Sequence, residues 1–418
     1  WQQIPIINMV IRDGMSSQYV TDITQDKYGF VWFATRYGVN RFDGNKFTVY
    51  IKSPDNGPLN SNNINRVTAD TLNNKVWIAN RWNGINVFDC ETERFSSFLH
   101  DKNNDKTLAS NIITDMLATS QGEIWIYTNK GLELYKPDSN EFIHYNKSTI
   151  PDFPSDESNT LSEGFNGDLY IGHSNCGFTI FSPKDKHIRN FSNIEDDNSS
   201  IPGNTIHSIH CSSDSKVWIA TGNGLSLFDP VTETFRNFRD VTGLHHTIQE
   251  GVNCVRQSVD GRIWVGTDSD LCYFDIKDTD KILSGKKNIH HMYIQDIYWG
   301  IANPSVLCVY EDSFKNIWIG SNGGGSSFMS RISPFFQTWR IDKIPGVVNG
   351  LNDKEVLTIC ISADKSIWMG TDGGGINVYK NGTNSRIYSG DTGETSSNAY
   401  LASLKDSNDD MWFGTHGK

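Results

Sequence analysis

The stretch Thr21 to Tyr50, TDITQDKYGFVWFATRYGVNRFDGNKFTVY, decides the fold. With Val20 in front of it, it reads as four short strands: Val20 to Thr24, Val31 to Ala34, Val39 to Phe42, and Lys46 to Tyr50. They are called a, b, c and d below. Each alternates apolar and polar residues with the period of a half-buried strand. A polar turn, Gln25-Asp26-Lys27-Tyr28-Gly29, separates a from b; Gly38 turns b into c, and Asp43-Gly44 turns c into d.

The same pattern then recurs down the chain. Strand b carries a tryptophan in KVWIAN (Trp77), EIWIYT (Trp125), KVWIAT (Trp218), RIWVGT (Trp264), NIWIGS (Trp318), SIWMGT (Trp368) and DMWFGT (Trp412). Adjacent members lie about 44 to 54 residues apart, except for one double gap that DLYIGHSNCGFTIF fills, with Tyr170 in the tryptophan slot. Nine repeats are visible. Four strands per unit at this period are the signature of a β-propeller, in which sheets apolar on both faces stack around an axis. The fold class predicted is all-β, a seven-bladed β-propeller of four-stranded antiparallel blades followed by the start of a second propeller. The tryptophans are predicted to pack between blades as core.

The ring count follows from the inner strands. Strand a recurs at Val20, Ile64, Ile113, Leu161, Ile206, Val252 and Val306, seven times. Gln2 to Met9 precedes the first of these without a blade of its own, and it is predicted to supply strand d of the seventh, beside Ser326 to Ser330. Phe335 to Ile341 (FFQTWRI) reads as a second leading strand. The predicted domains are therefore 1–333, a complete ring closed by the N-terminal strand, and 334–418, the first blades of a second, truncated propeller. The insertion from about Lys277 to Pro304, with His290-His291 and Tyr298-Trp299, fits no repeat.

Composition narrows the partners. The 37 basic residues stand against 49 acidic ones, a net charge of −12, which argues against nucleic acid and against anionic lipid. No apolar run is long enough to span a bilayer and no signal peptide is present; the opening at Trp1 inside a strand-like segment fits a targeting segment already removed. The seven cysteines form no CxxC pair and show no close histidine partners in sequence. Cys254 and Cys308 share a register in strand a, and the cysteines read as small buried residues of inner strands.

The unit V-x-x-I-x-x-D-x-x-G-x-x-W-x-x-T-x-x-G-[VL]-x-x-[FY]-[DG], at 20–43 and again at 206–229, resembles the two-component regulator propeller repeat. Two such propellers in tandem resemble the periplasmic sensor region of the hybrid two-component systems of gut Bacteroidetes. The resemblance implies a periplasmic sensor of an inner-membrane protein that detects oligosaccharides released from glycans. It further implies partners in the same longer chain, a second propeller and a β-sandwich ahead of a membrane span and a histidine kinase, and a homodimer in the full-length protein. The fragment alone is expected to be monomeric or weakly associated. Two other readings stay open: a propeller enzyme such as a polysaccharide lyase, and a protein-binding scaffold.

Catalytic signals are sparse, so no catalytic residue, metal or cofactor is predicted. His245-His246 and His290-His291 fall on presumed loops without a spaced third ligand. Asp115 and Glu163 are candidates for a nearby carboxylate pair. Gly323-Gly324-Gly325 precedes no helix that would make it a phosphate loop. The Asp-x-x-Gly turns between a and b, such as Asp26 to Gly29, are predicted to bond their own backbone. The binding prediction falls on the b–c turns, which share one face of the ring with the d–a loops. A turn needs only glycine or asparagine, yet Arg36, Tyr37, Arg81, Trp82, Lys130 and His173 exceed that requirement, with Asn83 and Asn175 beside them on the same turns. An aromatic face with convergent polar groups is a sugar platform, so these residues are the predicted oligosaccharide contacts.

Overall fold

The structure, a computed structural model, describes residues 6–54, 57–238, 251–292, 300–330, 351–380, 383–388 and 397–416. It falls into two compact units, Trp1–Ser333 and Pro334–Lys418. In the first, blade 1 consists of Val20–Gln25, Val31–Thr35, Gly38–Phe42 and Phe47–Tyr50, paired in that order. Blades 2 to 5 repeat this order, with strand a at Ile64–Asp70, Ile113–Ala118, Ser158–Glu163 and Ile206–Cys211. Blade 6 opens at Val252–Gln257 and blade 7 at Val306–Glu311. Each strand a packs against the next, and that of blade 7 packs against that of blade 1, so the seven sheets close a ring.

Blade 7 takes its outer strand from the start of the chain. Ile6–Met9 runs antiparallel to Ser326–Met329, with Ile6 opposite Met329 and Met9 opposite Ser326. Gln2 to Pro5 lie outside the described residues. The pairing also explains one member of the glycine run, because a Cβ at Gly325 would sit 2.2 Å from the Met9 carbonyl oxygen. Gly325 moreover has a φ of +78°, which favours glycine. Blades 7 and 1 are sewn together by Gly325 N–H donating to Gln18 O at 2.7 Å and Ser313 N–H donating to Gln25 Oε1 at 2.8 Å.

Every strand a carries a bulge after its first residue, as between Val20 and Asp22 and between Ile64 and Arg66. A bulge leaves its extra residue out of the ladder, and in several blades that residue latches one blade to the next. Thr21 Oγ1 donates to Ile64 O at 3.0 Å, Asn65 Nδ2 to Ile113 O at 2.8 Å, and Asn159 Nδ2 to Ile206 O at 3.1 Å. Asn253 Nδ2 likewise reaches Val306 O at 3.1 Å.

The tryptophans face the following blade. Trp32 lies 4.9 Å from Phe88, Trp77 5.1 Å from Tyr135, and Trp218 5.5 Å from Phe274, ring centre to ring centre. Trp318 completes the circle against Phe42 of blade 1 at 5.9 Å. All seven strand-b aromatics of the ring are at most 3% exposed, Tyr170 included. Trp412, in Met411–Thr415, is 62% exposed, and no further sheet covers it among the described residues.

The a–b turns do more than bond themselves. Asp312 accepts the N–H groups of Phe314 and Asn316, each at 2.9 Å, and also the Trp318 indole N–H at 2.9 Å. Asp26 serves Tyr28, Phe30 and the Trp32 indole in the same way. Asp312→Ala strands a buried indole donor and two turn amides, and is expected to lower stability by about 2 kcal/mol. Denaturant unfolding followed by circular dichroism checks this; an unmoved midpoint would show that the turn does not hold the indole.

Several expectations change. Strand d of blade 6 is His290–Met292, so His290-His291 lie in a sheet rather than a loop. The insertion before it contains a short helix, Thr279–Leu283. The cysteines are not confined to inner strands: Cys272 lies in strand c, and its Sγ is 3.2 Å from His291 Nδ1, a partner that sequence spacing hid. Asp115 and Glu163 have separate partners, Arg66 and Leu161 N–H for the first and Ser120 for the second. His245-His246, Phe335 to Ile341 and Tyr298-Trp299 lie outside the described residues. The second unit holds a four-stranded sheet beginning at Val356–Ile361 and a two-stranded sheet, Tyr400–Lys405 with Met411–Thr415.

Candidate functional site

The b–c turns and the d–a loops meet on one face. In blade 1, strand b ends at the fully buried Thr35, whose Oγ1 accepts Tyr37 N–H at 3.1 Å and tightens the turn. Arg36 and Tyr37 project from it, and Tyr37 is 53% exposed. Gly38 is required here, because its φ is +93° and a Cβ would lie 2.4 Å from Tyr50 O. The Arg36 guanidinium carbon sits 4.5 Å from the centre of the Tyr19 ring. Tyr19 was missed in the sequence reading; the signal available was an aromatic immediately before strand a, where other blades place Asn63, Thr205 or Ser305.

Blade 2 presents the largest exposed aromatic of this face. Trp82 is 55% exposed, and the Arg81 guanidinium carbon lies 5.2 Å from its ring centre. Asn83 is exposed beside it, and Asn60 Nδ2 donates to Asn83 O at 3.1 Å. One loop ties this turn to that of blade 1: Gly38 N–H donates to Asn62 O at 2.6 Å and Arg81 N–H to Asn63 O at 3.0 Å. Arg36, Tyr37, Arg81, Trp82 and Asn83 therefore stand on two turns braced by the same segment.

The other predicted contacts divide. Lys130 is exposed on the blade 3 turn, its N–H held by Thr128 Oγ1 at 3.1 Å, and Asn175 is exposed on the blade 4 turn. His173 is a correction: it is the last residue of strand b in blade 4 and is fully buried. Its Nδ1 lies 3.0 Å from Glu157 O and its Nε2 2.8 Å from Thr179 Oγ1. Burial pushes the imidazole pKa down to about 4, so the ring is neutral at pH 7. It fills the slot that Thr35 occupies in blade 1 and cannot touch a ligand on the face.

Around the axis, strand a supplies a cluster that the sequence did not single out. Arg66 Nε donates to Asp115 Oδ1 at 3.0 Å. Asp22 accepts Val67 N–H from the next blade at 3.0 Å, while Asp115 accepts Leu161 N–H at 2.7 Å. Burial raises the Asp22 carboxyl to about 6 despite the nearby Arg66. The same cause raises Asp115, again opposed by Arg66.

A wide cleft of about 600 Å³ opens on the opposite face, lined by Gln25, Tyr28, Thr71, Tyr310 and Phe314 among others. Its carboxylates Asp26 and Asp312 are already spent on turn amides and indoles. The b–c face, which sets exposed guanidinium groups beside its exposed aromatics, is therefore the better candidate.

Repeat and ring define a class, a β-propeller of seven four-stranded blades. The family model for the two component regulator propeller matches residues 14–37 and 300–323. Over 99% of its length the chain is similar, at 34% identity and a TM-score of 0.71, to the extracellular domain described for a hybrid two-component system of B. thetaiotaomicron. It spans about half of that relative, 52%. A second such extracellular domain from B. thetaiotaomicron, at 17% identity and a TM-score of 0.63, shares the fold. A streptogramin B lyase structure, at 11% identity and a TM-score of 0.55, likewise shares the fold alone. Histidine kinase P4 of Formosa agariphila is 49% identical over 43 residues, 10% of this chain and 3% of that protein. The chain thus carries matches to the two component regulator propeller at two places and is similar over nearly all its length to the extracellular domain of a hybrid two-component system. No described helix is long and apolar enough to cross a membrane.

Proposed function

We propose that this chain is the ligand-sensing part of the periplasmic region of an inner-membrane hybrid histidine kinase, and that it detects oligosaccharides derived from glycans. The observation that carries this reading is the similarity over 99% of the chain to an extracellular domain of a hybrid two-component system. The exposed Trp82 between Arg81 and Asn83 supports a sugar as ligand. Its indole gives an apolar platform, while the guanidinium and amide supply donors for hydroxyls. The chain itself carries no catalysis in this reading. Its partners are a second propeller and a β-sandwich of the same protein, and the intact protein works as a homodimer.

Calorimetry with a panel of glycan oligosaccharides, wild type against Trp82→Ala, tests both parts. The variant is expected to bind at least about tenfold more weakly, the loss of one good contact. Unchanged affinity in a folded Trp82→Ala would remove this face as the site. Failure of every oligosaccharide to bind the wild-type protein would overturn the glycan reading.

A further inference from the structure

In most blades strand c carries a polar residue two positions after the turn glycine, and its task is plain. Asn40 Oδ1 accepts Ser16 N–H at 2.8 Å, Asn86 Oδ1 accepts Asn60 N–H at 2.9 Å, and Glu133 accepts Ala109 N–H at 3.1 Å. Each fastens the incoming d–a loop to the sheet, and a neutral amide suffices for that.

Blade 6 departs from this pattern at two places at once, and shares a third feature, a histidine on strand d opposite the strand-c residue, with blade 3, where His144 pairs with Glu133. The turn glycine, Gly38 or Gly131 in other blades, is replaced by Asp270, and the strand-c residue is Cys272. The residue paired with Cys272 on strand d is His291. Asp270 is 7% exposed and Cys272 1%. Cys272 Sγ lies 3.2 Å from His291 Nδ1 and 3.3 Å from either Asp270 carboxylate oxygen, while His291 Nδ1 is 2.5 Å from Asp270 Oδ2. Thr267 Oγ1 donates to Asp270 Oδ1 at 2.8 Å and fixes the carboxylate.

We propose that Asp270, Cys272 and His291 are the protein ligands of a zinc ion. The three donor atoms lie within 4.8 Å of one another. Thiolate, imidazole and carboxylate together suit a borderline cation such as Zn²⁺, whereas Ca²⁺ and Mg²⁺ favour oxygen ligands alone. Tetrahedral zinc with a sulfur bond of about 2.3 Å and nitrogen and oxygen bonds of about 2.0–2.2 Å sets donor atoms roughly 3.3–3.6 Å apart. The two sulfur edges are already close to this, and the imidazole–carboxylate contact needs to open by less than about 1 Å. On binding, the Cys272 thiol and the His291 Nδ1–Asp270 contact each release a proton to solvent, the ring keeps its N–H on Nε2 and so offers the Nδ1 lone pair, and water takes the fourth position. The hydrogen bond from Thr267 orients the carboxylate for this.

The metal has mechanical work to do at this place. Strand d of blade 6, described over His290–Met292, returns from the insertion that contains the Thr279–Leu283 helix. Zinc bound to turn, strand c and strand d would staple this returning strand to its sheet.

The test is a titration of the purified chain with Zn²⁺ and, for its spectrum, Co²⁺. The wild type is expected to bind about one equivalent, with a cobalt–thiolate charge-transfer band, and to become resistant to proteolysis within 277–292. Cys272→Ser should abolish the band, and Asp270→Asn and His291→Asn should each weaken binding by more than about tenfold. Cys360→Ser, in the second unit, should change nothing. A band that survives in Cys272→Ser, or no stoichiometric binding by the wild type, would overturn the assignment. Circular dichroism identifies a variant that has lost its fold, and Asp270→Asn then decides.

Discussion

Replacing Trp218 with alanine is expected to destabilise the protein by about 3–5 kcal/mol, the range for truncating a fully buried large aromatic. Trp218 is 0% exposed and lies 5.3 Å from Phe238 in its own blade and 5.5 Å from Phe274 in the next. The truncation therefore opens a cavity at a blade junction that the rigid neighbouring sheets cannot close. Trp218 Nε1 has no hydrogen-bond partner among the described residues, unlike the Trp32 indole, which donates to Asp26 at 2.7 Å. Trp218→Phe should accordingly cost less than Trp32→Phe, which also strands the Asp26 carboxylate. Circular dichroism against denaturant reads all three; a Trp218→Ala midpoint equal to wild type would mean the junction is not cohesive.

Arg66→Met is expected to cost roughly 3 kcal/mol at pH 8, the low end for breaking a buried ion pair. The Arg66 side chain is 28% exposed and that of Asp115 9%, so water screens the pair only in part. Removing the guanidinium leaves Asp22 and Asp115 ionised near the axis without their cation. The effect depends on pH, and its sign can be worked out. The folded Asp22 carboxyl titrates near 6 against an ordinary value of 3.8, so protonation favours the folded state. That contribution is complete below about pH 4 and is lost as the pH rises through about 6. Without Arg66 both carboxyl groups move further up, so the variant should recover stability on acidification where the wild type changes less. Stability curves at pH 5 and 8 check this; a loss that is equal at both would show that packing, not charge, is what Arg66 contributes.

The strands were legible because alternation and turn glycines are local, and one blade read correctly is read again in each repeat. Tryptophan spacing gave the blades for the same reason. What escaped depends on geometry between repeats. The bulge in strand a has no common signature, since its extra residue is Thr, Asn or His in blades 1 to 6 but Leu307 in blade 7, and it decides which side chains reach the next blade. Asp22, Arg66 and Asp115 sit on three different blades, so nothing in their spacing joins them. His173 was misplaced because HSNCG reads as a longer turn, whereas strand b continues through it. In the insertion, no repeat pattern existed to show that His290-His291 had re-entered the sheet.

The pairing of Ile6–Met9 with Ser326–Met329 also fixes an order of events when the chain folds. Each of blades 1 to 6 draws its strands from one continuous segment and can form as soon as that segment is available. Blade 7 cannot, because its outer strand precedes the other six blades in the chain and its other three strands follow them. The strand Ile6–Met9 must wait, with bare amide and carbonyl groups, until about 300 further residues have become available. Closing so long a loop adds little equilibrium entropy beyond that of a shorter one, since the cost grows only logarithmically. It does make the last step a non-local one, and such steps are slow. A partly made ring would therefore present two unpaired edges, the waiting strand and blade 7, which is the stage at which a chaperone has most to shield and two neighbouring chains are most able to exchange strands.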